Sequence, residues 1–140
     1  MQSFPTWVPV VALALSDGQG RWLMHRRPEG KAHAGLWEFP GGKVEGTEIP
    51  VEALLREAQE ELGIALEPDD LRPLAFADEA NAGGNCGIVI LLYSAARWKG
   101  EPVSLEGGAV GWFDLEEMQR LPKPPLDREL VRQLGSIIPQ

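Results

Sequence analysis

Residues 42–64 read GKVEGTEIPVEALLREAQEELGI, a glycine-led turn running into a helix that carries Glu57, Glu60 and Glu61. At about 100° per residue the three glutamates fall within roughly 100° of one another, while Val51, Leu54, Leu55, Ala58 and Leu62 form a separate apolar stripe. A helix is predicted over about Glu48 to Leu62: Thr47 and Pro50 suit its first turn, and Gly63 followed by apolar Ile64 suits a glycine stop. Glu57 and Glu61 stand four apart, where like charges destabilise an isolated helix by about 0.2–0.5 kcal/mol. A divalent cation reverses that penalty, because hard ions such as Mg²⁺ take oxygen ligands and are shared between carboxylates and substrate phosphates. Acidic runs also occur on plainly solvated helices, so spacing alone does not decide between a metal site and a wet surface.

The wider pattern carries more. Gly42, five residues, Glu48, seven residues and then Arg56-Glu57-Ala58-Gln59-Glu60-Glu61-Leu62-Gly63-Ile64 resembles the Nudix box, Gx5Ex7REUxEExGU with U apolar. Every fixed position matches, and Ala58 is the smallest residue acceptable at an apolar one. The chain is thereby identified as a member of the Nudix hydrolase family. The resemblance implies an α+β Nudix fold, a mixed β-sheet packed between α-helices, with Mg²⁺ as cofactor and Mn²⁺ as an alternative. It also implies that Glu57, Glu60 and Glu61 hold the ions, with the Gly41 carbonyl as a further ligand and Arg56 orienting a catalytic glutamate. By the same likeness Lys43 reaches a phosphate, and Glu48 is structural.

The likeness extends beyond the box through His25-Arg26-Arg27, Leu36-Trp37-Glu38-Phe39-Pro40-Gly41-Gly42-Lys43, Arg97-Trp98-Lys99-Gly100-Glu101-Pro102 and Pro124-Pro125-Leu126-Asp127. That order is similar to the MutT-type branch. It implies hydrolysis of a nucleoside triphosphate, such as 8-oxo-dGTP or a cytosine nucleotide, to the monophosphate and pyrophosphate. Carried over position by position, Arg27 contacts phosphates, Phe39 lines the base pocket, and Glu106 approaches the metal as ligand or general base. Trp37 beside Phe39 is a further base-contact candidate. Dinucleoside polyphosphates, nucleotide sugars and capped RNA stand as alternative substrates. A non-catalytic nucleotide-binding module is the alternative of another class, although such modules typically lose box glutamates and this chain keeps all of them.

Asp127 falls where MutT-type enzymes commonly place an asparagine. An ionised aspartate only accepts hydrogen bonds, whereas asparagine also donates. Aspartate therefore suits the N1–H and amino group of a guanine or the amino group of a cytosine, and opposes guanine O6 unless protonated. Equally, Asp127 suits the N-cap of a last helix, with Leu126 and Val131 as a hydrophobic staple and Leu130, Val131, Leu134 and Ile138 as its apolar stripe. Both readings stand. His25 and His33 have no metal-spaced partner and are expected to be non-catalytic.

The remaining composition bounds these readings. The 140 residues fit one domain spanning residues 1–140, and the net charge of −8 opposes stable binding to a nucleic-acid backbone. Cys86 is the only cysteine, so no intrachain disulfide forms; its place before Ile88–Leu92 suggests a buried thiol, and a cytoplasmic location follows. Met1–Pro9 lacks a basic segment, and the apolar run Val10–Leu15 is far shorter than the ~20 residues that span a bilayer. No membrane partner is expected, and monomer or homodimer is left open. Val8–Leu15 and Trp22–Arg26, separated by Ser16–Gly20, read as a first hairpin. Leu74–Asp78 and Gly87–Arg97 follow as strands joined at Gly83–Asn85, then Val110–Phe113, with Asp114 capping a short helix before Pro122.

Overall fold

The computed structural model describes residues 6–80 and 86–138. Strand β1 (Thr6–Leu15), ten residues long, is apolar almost throughout, and Val11–Leu15 are buried because both faces are covered there, as in strands at the centre of a layered sheet. Val11, Leu13 and Leu15 enter one core with Leu54, Ala58 and Leu62 of the box segment; Ala12 and Ala14 enter another with Leu130, Val131 and Leu134. Alternation along one strand thus builds both sides of a helix–sheet–helix sandwich.

β1 lies between β4 (Gly41–Lys43) and β6 (Cys86–Ala95), and β5 (Arg72–Ala80) completes the order β4-β1-β6-β5. The β1–β6 pair is parallel from Thr6↔Cys86 to Leu15↔Ala95, and the other pairs are antiparallel, so the sheet is mixed. The expected first hairpin does not form as a ladder. β2 (Arg21–Arg26) leaves β1 after a single Ser16↔Trp22 bridge and pairs instead with β3 (Trp37–Glu38) and β7 (Ala109–Asp114) in a second, three-stranded sheet. The turn chemistry at Ser16–Gly20 is local, whereas burial of β1 on both faces draws it into the other sheet.

Helix α1 (Pro50–Glu57) starts with Pro50 at its first position, where the missing N–H is no loss. Glu52 Oε1 accepts from the Ile49 N–H at 2.9 Å, so the start lies two residues after the expected Glu48. The segment Ala58–Leu62 continues as a π-helical turn and ends at Gly63, whose φ of 71° favours glycine. Single π turns recur at functional sites; this one widens the helix where Glu60 and Glu61 sit, a departure that a uniform 100° wheel does not contain.

Asp114 caps α2 (Leu115–Arg120) by accepting from the Glu117 N–H at 2.8 Å. Helix α3 (Pro125–Ile137) begins earlier than expected, with Pro124 at the N-cap and Pro125 at its first position. Asp127 is therefore inside the first turn, and neither the cap nor the Leu126–Val131 staple forms as anticipated. Cys86 is exposed rather than buried, because it is the first residue of β6 at a sheet end. The anticipated Gly83–Asn85 turn lies outside the described residues.

Candidate active site

Two glycines let the box helix approach the sheet. At Gly41 an added Cβ would lie 1.9 Å from the Val11 carbonyl oxygen, and at Gly42 it would lie 2.4 Å from Glu57 Oε1. The Leu13 N–H donates to Pro40 and the Val44 N–H to Pro9, which by antiparallel alternation turns the Gly41 N–H and carbonyl away from β1. The Gly41 N–H donates to Glu61 Oε2 at 3.2 Å. Glu57 and Glu61 are thus seated over the β4 backbone.

Arg56 fixes the outer carboxylates. Its Nε and Nη2 donate to the two oxygens of Glu48 at 2.7 and 3.0 Å, and Nη1 donates to Glu57 at 2.9 Å and Glu60 at 3.1 Å. Nη2 also donates to the Lys43 carbonyl at 3.0 Å, tying helix to turn. A planar guanidinium makes this five-way set with little further ordering, which lysine could not reproduce. Its pKa is raised, first by the Glu48 hydrogen bond. Glu52 is not a partner, since it bonds Ile49 instead.

Glu61 is buried, and burial, with the Glu38, Glu106 and Glu57 carboxylates adding, pushes its pKa up to about 8. Burial is also the main cause of the raised pKa of Glu57. Glu106 is exposed on its loop but acts electrostatically on Glu57, Glu61 and His25. That loop is moored by the Leu105 N–H donating to the Glu61 carbonyl at 3.0 Å and the Val103 N–H to Leu62 at 3.1 Å. The three box glutamates are not equivalent: the Glu60 side chain is 57% exposed, and Glu57 and Glu61 face inward.

His25, expected to be non-catalytic, lies in this centre. It is 2% exposed, with Nδ1 3.2 Å from Glu61 Oε1 and Nε2 3.0 Å from Ser104 Oγ. Although close to Glu61, Nδ1 is off hydrogen-bonding geometry and has no partner. Burial lowers the imidazole pKa, so the ring is neutral near pH 7. Sequence reasoning missed it because its partners come from distant segments; the available signal was a histidine at a buried position of β2, whose burial pattern runs outward only at the ends.

A cleft of about 280 Å³ beside the carboxylates is lined by Arg27, Phe39, Lys43, Ile90 and Asp127, with the β1 and β4 backbones as its floor. Arg27 is held by Glu38 at 2.9 Å and by the Ala32 carbonyl at 2.6 Å. Asp127 Oδ2 accepts from the Phe39 N–H at 3.0 Å, a link between α3 and the sheet that replaces the anticipated cap. Burial first, with Glu38 adding and the Phe39 bond opposing, raises the Asp127 pKa to about 7. Trp37 is not among the lining residues: its ring packs edge-on to Phe113 at 5.0 Å and lies under Arg26.

A family profile described as NUDIX domain matches residues 6–134. The chain belongs to the Nudix family. An 8-oxo-dGTP diphosphatase of Haemophilus influenzae is 31% identical over 128 residues, covering 91% of this chain and 90% of the relative. A CTP pyrophosphohydrolase of Escherichia coli is 32% identical over 121 residues, covering 86% and 87%. The crystal structure of a MutT NUDIX hydrolase from Burkholderia pseudomallei superposes with a TM-score of 0.77 at 34% identity, covering 92% of this chain and 98% of that one.

Nudix hydrolases generally use divalent metals, and the residues present fit one. Glu57 and Glu61 lie at the Gly42 and Gly41 backbone, with the Glu106 charge bearing on both and that of Glu60 on Glu57. Burial first, then these like charges, disfavours the ionised forms of Glu57 and Glu61 until a cation joins them. The donor set is oxygen-rich, as hard ions require. Among the described residues of this Nudix chain, no helix is long and apolar enough to cross a membrane.

Proposed function

We propose that this Nudix hydrolase is a Mg²⁺-dependent nucleoside triphosphate pyrophosphohydrolase of MutT type. It releases a nucleoside monophosphate and pyrophosphate by water attack at the β phosphorus, and it acts on the cytoplasmic nucleotide pool ahead of polymerases. The observation that carries the reading is the seating of Glu57 and Glu61 on the Gly42 and Gly41 backbone beside a cleft of about 280 Å³. The bound ion supplies charge neutralisation for the crowded phosphates and acidifies a water.

The chain's own residues supply the rest. Glu57, Glu60, Glu61, Glu106 and the Gly41 carbonyl are the proposed ligands, with Mn²⁺ able to substitute. Arg56 holds Glu57 in place through its second bond network to Glu48 and Lys43. Glu106, on a moored but exposed loop, is the candidate to take the proton from water. Arg27 and Lys43 at the cleft rim meet the phosphates, and Phe39 walls the base.

Asp127 favours a second reading of the substrate. One oxygen is committed to the Phe39 N–H, which leaves the other as an acceptor for an exocyclic amino group. This fits a cytosine when Asp127 is ionised and an oxidised guanine when it is protonated, and a pKa raised to about 7 leaves both forms accessible. The relatives include enzymes named for each class of substrate. Mg²⁺-dependent product release from 8-oxo-dGTP, dGTP, dCTP, CTP, a methylated dCTP and a dinucleoside polyphosphate tests the proposal. Turnover of only the dinucleotide overturns the branch assignment, and no Mg²⁺-dependent turnover overturns the activity.

A further inference from the structure

His25 introduces nitrogen into an otherwise all-oxygen centre. Its Nδ1 is buried, lacks a hydrogen-bond partner and lies 3.2 Å from Glu61 Oε1. One ligand atom each from His25, Glu38 and Glu61 falls within 4.8 Å of the others. Glu38 commits Oε1 to Arg27 and keeps Oε2 free, while Glu61 commits Oε2 to Gly41 and keeps Oε1 toward the histidine.

We propose that His25 Nδ1, Glu38 and Glu61 form a further metal site, which takes a divalent transition ion such as Mn²⁺ in preference to Mg²⁺. Two carboxylates and one imidazole make a mixed donor set: the carboxylates suit Mn²⁺ as they suit Mg²⁺, and the nitrogen disfavours Mg²⁺, which demands oxygen ligands. Metal-bound histidines carry a partner on the other ring nitrogen that fixes tautomer and orientation. Here that partner is Ser104 Oγ, 3.0 Å from Nε2, itself pinned by accepting from the Gly108 N–H at 3.0 Å. With Nε2–H donating to the serine, the Nδ1 lone pair faces the two glutamates. An added Cβ at Gly108 would meet the Arg26 carbonyl at 2.1 Å and His25 Nε2 at 3.1 Å, so glycine there lets the loop close on this histidine. Bonds of about 2.0–2.2 Å span ligands up to about 4.2 Å apart, so the cluster needs only a modest side-chain closure around an ion.

The site shares Glu61 with the proposed catalytic centre and rests on the reading of Glu61 as a ligand. The test is pulsed electron paramagnetic resonance of the full chain loaded with Mn²⁺, together with Mn²⁺ and Mg²⁺ titrations. Nitrogen modulation of the Mn²⁺ echo is expected in the unmodified protein and is lost in His25→Gln, with Mg²⁺ affinity unchanged. Ser104→Ala should weaken Mn²⁺ binding about 10–100-fold while the fold, followed by circular dichroism, persists. Bound Mn²⁺ without nitrogen modulation overturns the histidine site and leaves the box assignment standing. Failure to bind Mn²⁺ at all overturns both.

Discussion

A Cβ on residue 42 would sit 2.4 Å from Glu57 Oε1, so the absence of a side chain at Gly42 and the position of the Glu57 carboxylate are one feature. Gly42→Ala is expected to displace that carboxylate and reduce turnover about 100-fold, the scale associated with an ångström of misplacement, while melting temperature changes little. Gly41→Ala is different, because its Cβ would collide with the Val11 carbonyl of the central strand. That variant should lose fold stability as well, by roughly 1–3 kcal/mol. Kinetics and thermal unfolding on the two proteins separate these effects; equal losses of stability would contradict the distinction.

Glu60→Gln is expected to lower turnover by orders of magnitude with little change in folding, since the side chain is 57% exposed and its neutral isostere keeps one acceptor for Arg56. Arg56→Lys should lose the two-oxygen grip on Glu48 and the contact to Lys43 together, with a fall in turnover of about tenfold or more. Unchanged turnover in Glu60→Gln would sink the metal assignment.

The box was legible because its residues are close along one helix and need no knowledge of the rest of the chain. Spacing placed Glu57 and Glu61 together, the family resemblance linked Arg56 to a box glutamate, and Pro50 and Gly63 marked the helix within two residues. Features set by tertiary packing were not legible. The strand pairing of β1 depends on a parallel partner some eighty residues away, so turn residues at Ser16–Gly20 could not reveal it. Asp127 resembled a cap until Pro124 and Pro125 were seen to start the helix earlier, leaving its carboxylate for Phe39. His25 had no visible partner because Ser104 and Glu61 reach it from distant segments of the chain.

Asp127 also gives a pH prediction. Its pKa rises from 3.8 to about 7 on folding, chiefly through burial, so the folded state binds the proton more tightly than the unfolded one. Its contribution to stability is then largest below the unfolded pKa and declines as pH rises toward about 7. Asp127→Asn, which keeps an acceptor for the Phe39 N–H, should flatten that decline by a few kcal/mol at most. Denaturant unfolding between pH 4 and 8 measures it; parallel curves for the two proteins would refute the assignment.

Glu61 predicts how a cation alters the profile. Its pKa, raised from 4.5 to about 8 mainly by burial, makes the ion-free protein less stable as pH climbs through that interval. Mg²⁺ binds the ionised form, so its stabilising effect should be larger at pH 8 than at pH 6. Melting temperatures with Mg²⁺ and with EDTA at both pH values give the comparison, and Glu61→Gln should remove most of the difference.

The proposed activity is cleavage of a nucleoside triphosphate by water directed to the β phosphorus. Turnover in H₂¹⁸O with Mg²⁺, followed by mass spectrometry of both products, tests it most directly. The predicted result is one ¹⁸O in pyrophosphate and none in the nucleoside monophosphate. Label in the monophosphate would contradict the direction of attack, and the absence of Mg²⁺-dependent products would contradict the function itself.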